Sequence, residues 1–119
     1  MNRKHHNLKA WKKSVQLVKE IYKITSKFPK EEIYVISAQM RRAAISIPSN
    51  IAEGAARRSS REFLNYLSIA RGSLSELETQ VIISKELNYL QDESQLLNRI
   101  SEVFGLLGGL INAVKNKIE

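Results

Sequence analysis

Four stretches of apolar residues at helical spacing run through this sequence of 119 residues, and three short breaks separate them. Apolar residues that recur every three or four positions are typical of helices that bury one face. No stretch keeps the alternation of a strand, and the sequence contains no Asn-Gly or Asp-Gly hairpin signal. We therefore predict an all-α protein with helices at about residues 8–27, 31–56, 60–87 and 92–115.

The apolar stripe of each predicted helix gives the candidate core. In the first helix it comprises Leu8, Trp11, Val15, Val18 and Tyr22. In the second helix it comprises Ile33, Ile36, Met40, Ala44, Ile47, Ile51 and Ala55. The third stripe consists of Phe63, Leu67, Ala70, Leu74, Leu77 and Val81, and the fourth of Leu96, Ile100, Val103, Leu107, Leu110, Ile111 and Val114.

Local signals mark several helix ends. Asn7 is a candidate N-cap for the first helix, and Pro29 ends that helix because the residue before a proline avoids helical geometry. Ser59 and Glu62 have the spacing of a capping box, which starts the third helix. Asn88 is a candidate left-handed residue at the end of that helix.

Pro48 lies inside the apolar pattern of the second helix. A proline ring clashes with the carbonyl four residues back, but the stripe passes through Pro48 in phase, so we predict one kinked helix. The length fits a single domain over residues 1–119. Four amphipathic helices with short connections pack best as antiparallel neighbours, which predicts an up-down-up-down bundle.

Few residues in the sequence are suited to catalysis. The absence of cysteine excludes disulfides and thiolate chemistry. His5 and His6 are adjacent, do not match a metal-ligand spacing such as HExxH, and are assigned to a frayed terminus. We predict a protein that is not an enzyme and has no metal site and no cofactor.

The N-terminal residues 1–13 lack the apolar region of a secretory signal. The longest nearly apolar run, residues 103–114, is shorter than the roughly 20 residues that span a bilayer. We therefore expect a cytoplasmic protein without a membrane partner.

The formal net charge of +7 is unevenly distributed along the chain. Residues 1–61 carry fourteen Lys and Arg against four Glu, whereas residues 62–119 carry five against eight acidic residues. This asymmetry favours an anionic partner for one side of the molecule, although a basic surface also serves solubility alone. Arginine forks suit phosphate oxygens, and lysines act as point charges. The candidate nucleic-acid-binding residues are Lys9, Lys12, Lys13, Arg41, Arg42, Arg57, Arg58 and Arg61.

The second predicted helix carries small residues on faces away from its apolar stripe, where a solvated helix commonly carries Lys and Glu. Small residues let another backbone come close, so we predict an oligomer interface; the alternative is a helix that tolerates small residues. The candidate interface residues are Ile45, Ser46, Pro48, Ser49, Ala52 and Glu53.

Two further features of the predicted helices bear on packing. Gly105, Gly108 and Gly109 interrupt the fourth helix, and each costs up to ~1 kcal/mol relative to alanine. They indicate close packing, either within the bundle or between subunits. Arg71 is expected to pair with Glu53 or Glu76 in an internal polar network.

One long run of the sequence resembles a known family. Residues 39–54 read QMRRAAISIPSNIAEG, residues 57–59 read RRS, and residues 63–78 read FLNYLSIARGSLSELE. Together with Trp11, Tyr22 and the Phe28-Pro29 pair, they resemble the 23S rRNA intervening-sequence proteins. The resemblance covers nearly the whole chain, and the run SIPSNIAEG is an uncommon helical sequence.

The resemblance implies a left-handed up-down-up-down bundle that assembles as a homopentamer, with no enzymatic activity and no cofactor. Members of the family can be encoded within insertions of bacterial large-subunit ribosomal RNA genes. The family is also similar to the accessory variability protein of diversity-generating retroelements, which is thought to bind nucleic acid and the reverse transcriptase.

Two functions follow as hypotheses from the charge pattern and the resemblance. The first is a basic, oligomeric accessory protein that binds RNA or DNA through the phosphate backbone, with structured RNA favoured. The second is an oligomeric scaffold that binds a protein partner and whose basic charge is incidental.

Overall fold

A computed structural model describes residues 3–33 and 35–118 and contains four α-helices. Their bounds are Lys9–Thr25 (α1), Ile36–Ala55 (α2), Ser60–Glu86 (α3) and Ser94–Lys115 (α4). Two short 3-10 turns, Lys4–Asn7 and Lys30–Glu32, precede α1 and α2. Residues 3–33 and 35–118 contain no strand, so the predicted all-α class is confirmed.

The four helices pack in a cycle around one core. Each of them contacts its neighbours in sequence, and α1 also contacts α4. The molecule measures 48 × 25 × 21 Å, which is the shape of a short rod. These contacts are consistent with a four-helix bundle, whereas the up-down-up-down order and the left-handed turn stay predictions.

The predicted stripes of α2, α3 and α4 form most of the core. All six predicted residues of α3 are buried, and so are those of α2 from Ile36 onwards. In α4, Leu110 is half-buried and the other predicted residues are buried. The helical period therefore identified the buried faces of these three helices.

The stripe predicted for α1 lies beside its fully buried face: Leu8, Trp11 and Val18 are half-buried and pack against the core, whereas Val15 is only half-buried and Tyr22 is exposed. The buried face of α1 instead consists of Ala10, Ser14, Leu17, Ile21 and Thr25. Its two polar members satisfy their hydroxyls locally: Ser14 Oγ donates to the Trp11 carbonyl at 2.8 Å, and Thr25 Oγ1 donates to the Ile21 carbonyl at 2.7 Å. A hydroxyl paired with the helix backbone can be buried at little cost.

The second helix begins at Ile36 and not near residue 31. Lys30–Glu32 forms a separate 3-10 turn, and Val35 has φ −116° and ψ −101°, outside helical geometry. Ile33, predicted as a core residue, is therefore 49% exposed. A helical period alone cannot distinguish a continuous helix from a short turn that precedes it.

Three of the predicted helix ends can be compared with the structure. The Glu62 backbone N–H donates to Ser59 Oγ at 3.1 Å, which confirms the cap of α3. Asn88 has φ 63°, which confirms its left-handed conformation. Asn7 is not the cap of α1, because it ends the first 3-10 turn and Leu8 occupies the cap position without a side-chain hydrogen bond.

The second helix is continuous through Pro48, as predicted, and approaches α3 closely near its own end. A Cβ atom added to Gly54 would lie 2.7 Å from Tyr66 Cβ and 2.9 Å from Phe63 Cδ1. Contacts this short cannot be accommodated without a shift of one helix. Glycine at position 54 therefore permits the closest α2–α3 packing.

Candidate nucleic-acid interface

The first 3-10 turn brings two cations to the connection between α2 and α3. Lys4 Nζ lies 4.9 Å from the centroid of the Phe63 ring. Arg3, Lys4 and His5 line a cavity of about 450 Å³ together with Ala55 and Ala56, directly before Arg57. Local folding thus adds two cations to the predicted arginine cluster. We call this surface the basic end: Arg3, Lys4, Arg57, Arg58 and Arg61.

Arg57 is held in place by its neighbours on both helices. Its Nη2 donates to Glu53 Oε2 at 3.0 Å and to the Tyr66 hydroxyl at 2.7 Å. Its guanidinium also lies 4.9 Å from the Tyr66 ring centroid. These contacts partly neutralise Arg57 and fix its orientation.

Arg58 and Arg61 are exposed at the same connection. Across residues 3–33 and 35–118, the ion pairs are Lys13–Glu102 and Arg57–Glu53, so neither arginine is in one. Their forks are available to phosphate oxygens of a ligand. Within the basic end, Arg58 and Arg61 are therefore the arginines best placed to bind a ligand.

The predicted lysines lie at the start of α1. Lys9 and Lys12 are exposed, whereas Lys13 is half-buried and lies 3.6 Å from Glu102 Oε2. Lys9 and Lys12 lie in the first turn of α1, close in sequence to Arg3 and Lys4.

Arg41 contacts α1 rather than open solvent. Its Nε donates to Thr25 Oγ1 at 2.8 Å, and its guanidinium lies 4.5 Å from the Tyr22 ring centroid. Arg42, in contrast, is exposed and lines a small cavity of about 160 Å³ with Gln39, Ser46 and Ser73. The two arginines therefore differ in exposure and in hydrogen bonding, although both line the groove between α1 and α2.

The predicted oligomer-interface residues lie on different surfaces of α2. Ile45, Ser49 and Glu53 are exposed and Ala52 is half-buried. Pro48 is buried within the protomer, so its ring is not available to a second subunit. The Ser46 hydroxyl is 2.8 Å from that of Ser73, so Ser46 faces α3 rather than the side opposite the core.

The packing predictions for Arg71 and the α4 glycines need correction. Arg71 is exposed, and Glu53, one of its two predicted partners, pairs with Arg57 instead. A Cβ atom added at Gly105, Gly108 or Gly109 would meet no protein atom within 4 Å among the residues that the structure describes. Packing within the bundle therefore does not account for these glycines, and the other alternative, packing between subunits, stays a prediction.

Two exposed apolar surfaces lie outside the basic end. The first, the α1–α2 groove, has a volume of about 460 Å³ and is lined by Tyr22, Ile33, Ala38, Arg41, Arg42 and Ile45. The second, the α3 ridge, consists of Ile69, Glu76, Ile83 and Leu87, which are exposed and recur at helical spacing. Tyr89, two residues after Leu87, donates to Glu32 Oε1 at 2.9 Å, and its ring lies 5.6 Å from that of Phe28. Because Glu32 is adjacent to Ile33 of the groove, the end of the ridge lies at the same end of the bundle as the groove.

The histidines belong to an ordered turn and not to a frayed terminus. The Arg3 backbone N–H donates to His6 Nδ1 at 3.0 Å. The rings of His5 and Trp11 are 5.1 Å apart, edge to face. Partial burial, followed by the charges of His6 and Arg3, holds the pKa of His5 below its usual range.

Sequence reasoning missed Arg3, Lys4 and His5 as parts of the site. The contact of Lys4 with Phe63 joins residues that are far apart in sequence, and helical periodicity carries no signal for it. The His6 side chain that caps the turn is the one local feature that could have indicated order there.

The described part of the chain has neither a metal-binding cluster of side chains nor a helix suited to cross a membrane. No group of three His, Cys, Asp or Glu side chains in residues 3–33 and 35–118 is placed to hold a metal ion. None of the helices in those residues is long and apolar enough to cross a membrane.

Fold and surface together define the class of protein: a small four-helix bundle with a cluster of cations at the connection between its second and third helices. The chain belongs to the 23S rRNA-intervening sequence protein family, whose model matches residues 6–109. A comparison with curated proteins finds no match. The family match includes all of α1, α2 and α3 and most of α4, and it leaves Arg3, Lys4 and His5 outside.

Proposed function

We propose that this protein is an oligomeric accessory protein that binds nucleic acid, preferably structured RNA, through the phosphate backbone, and that it carries out no catalytic step. The observation that carries the proposal is the basic end, where Arg58 and Arg61 are exposed and outside the ion pairs of the described residues. Membership of a family named for a ribosomal RNA insertion supports a role connected with RNA.

Arginine forks at a helix connection are suited to phosphate groups and carry no base specificity. Bidentate hydrogen bonds from guanidinium to phosphate are charge-assisted, and binding releases the counterions of the nucleic acid. The logarithm of the affinity should therefore fall with the logarithm of salt concentration by about 0.9 for each phosphate contacted on duplex DNA. Contact with about five phosphates gives a slope of about −4 to −5.

Self-assembly is the second part of the proposal, and we expect the pentamer that the family resemblance implies. Support comes from the α1–α2 groove, which combines apolar side chains with Arg41 and Arg42, and from the α3 ridge, which combines apolar side chains with Glu76. A head-to-tail contact between the groove of one protomer and the ridge of the next is the type of contact from which rings are built. Five copies of a chain with charge +7 would carry +35, which strengthens binding through avidity.

The test removes two arginines and compares the result with the removal of two lysines elsewhere. Arg58→Gln with Arg61→Gln lowers the net charge by two, and so does the control Lys19→Gln with Lys23→Gln on the exposed side of α1. Fluorescence anisotropy of labelled structured RNA and duplex DNA, measured over a salt series, gives the affinity and the slope. We expect the arginine variant to bind more weakly with a shallower slope, and the lysine variant to bind nearly as wild type.

Three other outcomes are informative. An equal loss of affinity in the two variants would show that total charge, and not a site at Arg58 and Arg61, determines binding. Tighter binding of duplex DNA than of RNA would reverse the proposed preference. No binding at low salt by a folded oligomer would favour the second hypothesis, a scaffold for a protein partner.

A further inference from the structure

The cavity beside the first 3-10 turn has the size and the chemistry of a small-ligand site. Its volume of about 450 Å³ lies within the range of roughly 300–1,000 Å³ that is usual for such sites. Two cations, Arg3 and Lys4, line it together with the imidazole of His5 and the methyl groups of Ala55 and Ala56. It therefore combines groups for an anion with a flat ring and an apolar surface.

This combination matches a nucleotide better than a free anion. Phosphate alone would use the cations and leave the imidazole and the alanine methyls without a function. An unpaired base, in contrast, can stack on a histidine ring or on an arginine plane, and contact methyl groups with its other surfaces. A base that is paired inside a duplex cannot enter such a cavity, because its faces are covered by neighbouring base pairs.

Contacts on the protein side hold the candidate groups in place. Lys4 Nζ lies over the Phe63 ring, and the His5 ring contacts the edge or face of both His6 and Trp11. The hydrogen bond from the Arg3 backbone to His6 Nδ1 closes the turn. A turn that is ordered before binding loses less conformational entropy when a ligand binds.

We propose that the cavity lined by Arg3, Lys4, His5, Ala55 and Ala56 binds one unpaired nucleotide of an RNA ligand. The base lies against His5 and the two alanines, and its phosphate contacts Arg3 and Lys4. The proposal rests on the nucleic-acid function above and makes it more specific, since the basic end binds the backbone of a helical stem and the cavity selects a stem with an unpaired end. Arg3, Lys4 and His5 precede the residues that the family model matches, so the proposed site rests on the contacts of this chain and not on the family match.

Two RNA hairpins with the same stem provide the test, one with a blunt end and one with a short 3′ adenosine overhang. Base stacking on an aromatic side chain corresponds to about 5- to 140-fold in affinity per base. We expect the full-length protein to bind the overhang hairpin more tightly than the blunt hairpin by a factor in this range. Trp11 is the single tryptophan of the chain and its ring is 5.1 Å from His5, so we also expect its fluorescence to change with the overhang hairpin only.

Two variants assign the preference to the cavity. Ala56→Leu fills the cavity from an exposed position, and His5→Ala removes the ring. Each should abolish the preference for the overhang, which is measured as the ratio of the two affinities within one variant, so that a change in backbone binding affects both hairpins alike and cancels. Ala113→Leu, at an exposed position on α4 that does not line the cavity, is the control and should keep the preference.

The outcomes separate the two proposals. Equal affinity of wild-type protein for the two hairpins, or a preference that persists in both cavity variants, overturns the nucleotide site and leaves backbone binding standing. Failure to bind either hairpin overturns both. Far-UV circular dichroism of each variant verifies the helical fold, and two independent cavity variants keep the test decisive if one of them does not fold.

Discussion

Gly54 offers a direct test of how closely α2 and α3 pack. Gly54→Ala adds one methyl group, whose carbon would lie 2.7 Å from Tyr66 Cβ, 2.9 Å from Phe63 Cδ1 and 3.3 Å from the Phe63 carbonyl oxygen. Because two of these atoms are backbone or directly attached to it, the clash cannot be relieved by rotation of a flexible side chain. One helix must move away from the other.

Two opposing terms set the size of the effect. Alanine in a helix interior is favoured over glycine by about 1 kcal/mol, whereas overpacking of a tight contact costs about 1–3 kcal/mol. Since the shortest contact involves a Cβ atom, we take the upper half of the overpacking range and expect a net loss of about 1–2 kcal/mol. With an unfolding entropy of about 2.1 cal/mol/K per residue, this loss lowers Tm by about 4–8 °C.

The matched control is Gly72→Ala on α3, where an added Cβ atom would meet nothing within 4 Å among the described residues. Here only the helix propensity changes, so we expect Tm to rise by up to about 4 °C. Thermal unfolding followed by circular dichroism at one protein concentration measures both variants. If Gly54→Ala also raises Tm, the close approach of α2 and α3 at this position is wrong.

Three further predictions concern assembly, the core and pH. Ile45→Asp places a charge in the α1–α2 groove and should therefore give a helical monomer, with the mass measured by analytical ultracentrifugation. If the variant keeps the wild-type mass, the groove is not part of the interface. Gln80→Met should raise the free energy of unfolding by about 1 kcal/mol in urea titrations, because it removes the buried Gln80 Oε1, which has no hydrogen-bond partner among residues 3–33 and 35–118, at the cost of one long hydrogen bond of 3.3 Å from Nε2 to Glu76. A lower free energy of unfolding would show that the bond to Glu76 outweighs the unpaired oxygen. Tyr89→Phe should lower Tm at neutral pH, because the hydrogen bond to Glu32, followed by partial burial and the charges of Glu32 and Glu31, raises the pKa of Tyr89 above its ordinary value of 10.0. A group whose pKa is higher in the folded than in the unfolded state stabilises the protein fully below its unfolded pKa. The difference in Tm between wild type and Tyr89→Phe should therefore narrow only as the pH rises above 10. A difference that is independent of pH would contradict the assignment.

Features set by neighbouring residues could be predicted from the sequence. The Ser59–Glu62 cap and the left-handed Asn88 depend on side chains within one helical turn, and both predictions are confirmed. The buried faces of α2, α3 and α4 are also set locally, because each of these helices has one apolar stripe that is clearly longer than any competing one.

Features set by contacts between distant residues could not be predicted in this way. In α1 the apolar stripe through Trp11 competes with the true buried face, which includes Ser14 and Thr25, and only the packing partners decide between them. The contact between Lys4 and Phe63, which completes the basic end, joins the N-terminus to α3 and leaves no periodic signal. The sequence therefore predicted Arg57, Arg58 and Arg61 of the candidate site but not Arg3 and Lys4.

The short connection between α2 and α3 has a consequence for how the chain folds. Residues 56–59 are all that separate the two helices, so little loop-closure entropy is lost when they pair, and the contact at Gly54 forms between residues near in sequence. We expect the α2–α3 hairpin to form first, with α1 and α4 docking onto it later. Changes at Gly54 should then slow folding, whereas removal of the Lys13–Glu102 pair should mainly speed unfolding. In this order Arg57, Arg58 and Arg61 come together in the folding nucleus, and Arg3 and Lys4 join them only when the N-terminal part of the chain docks.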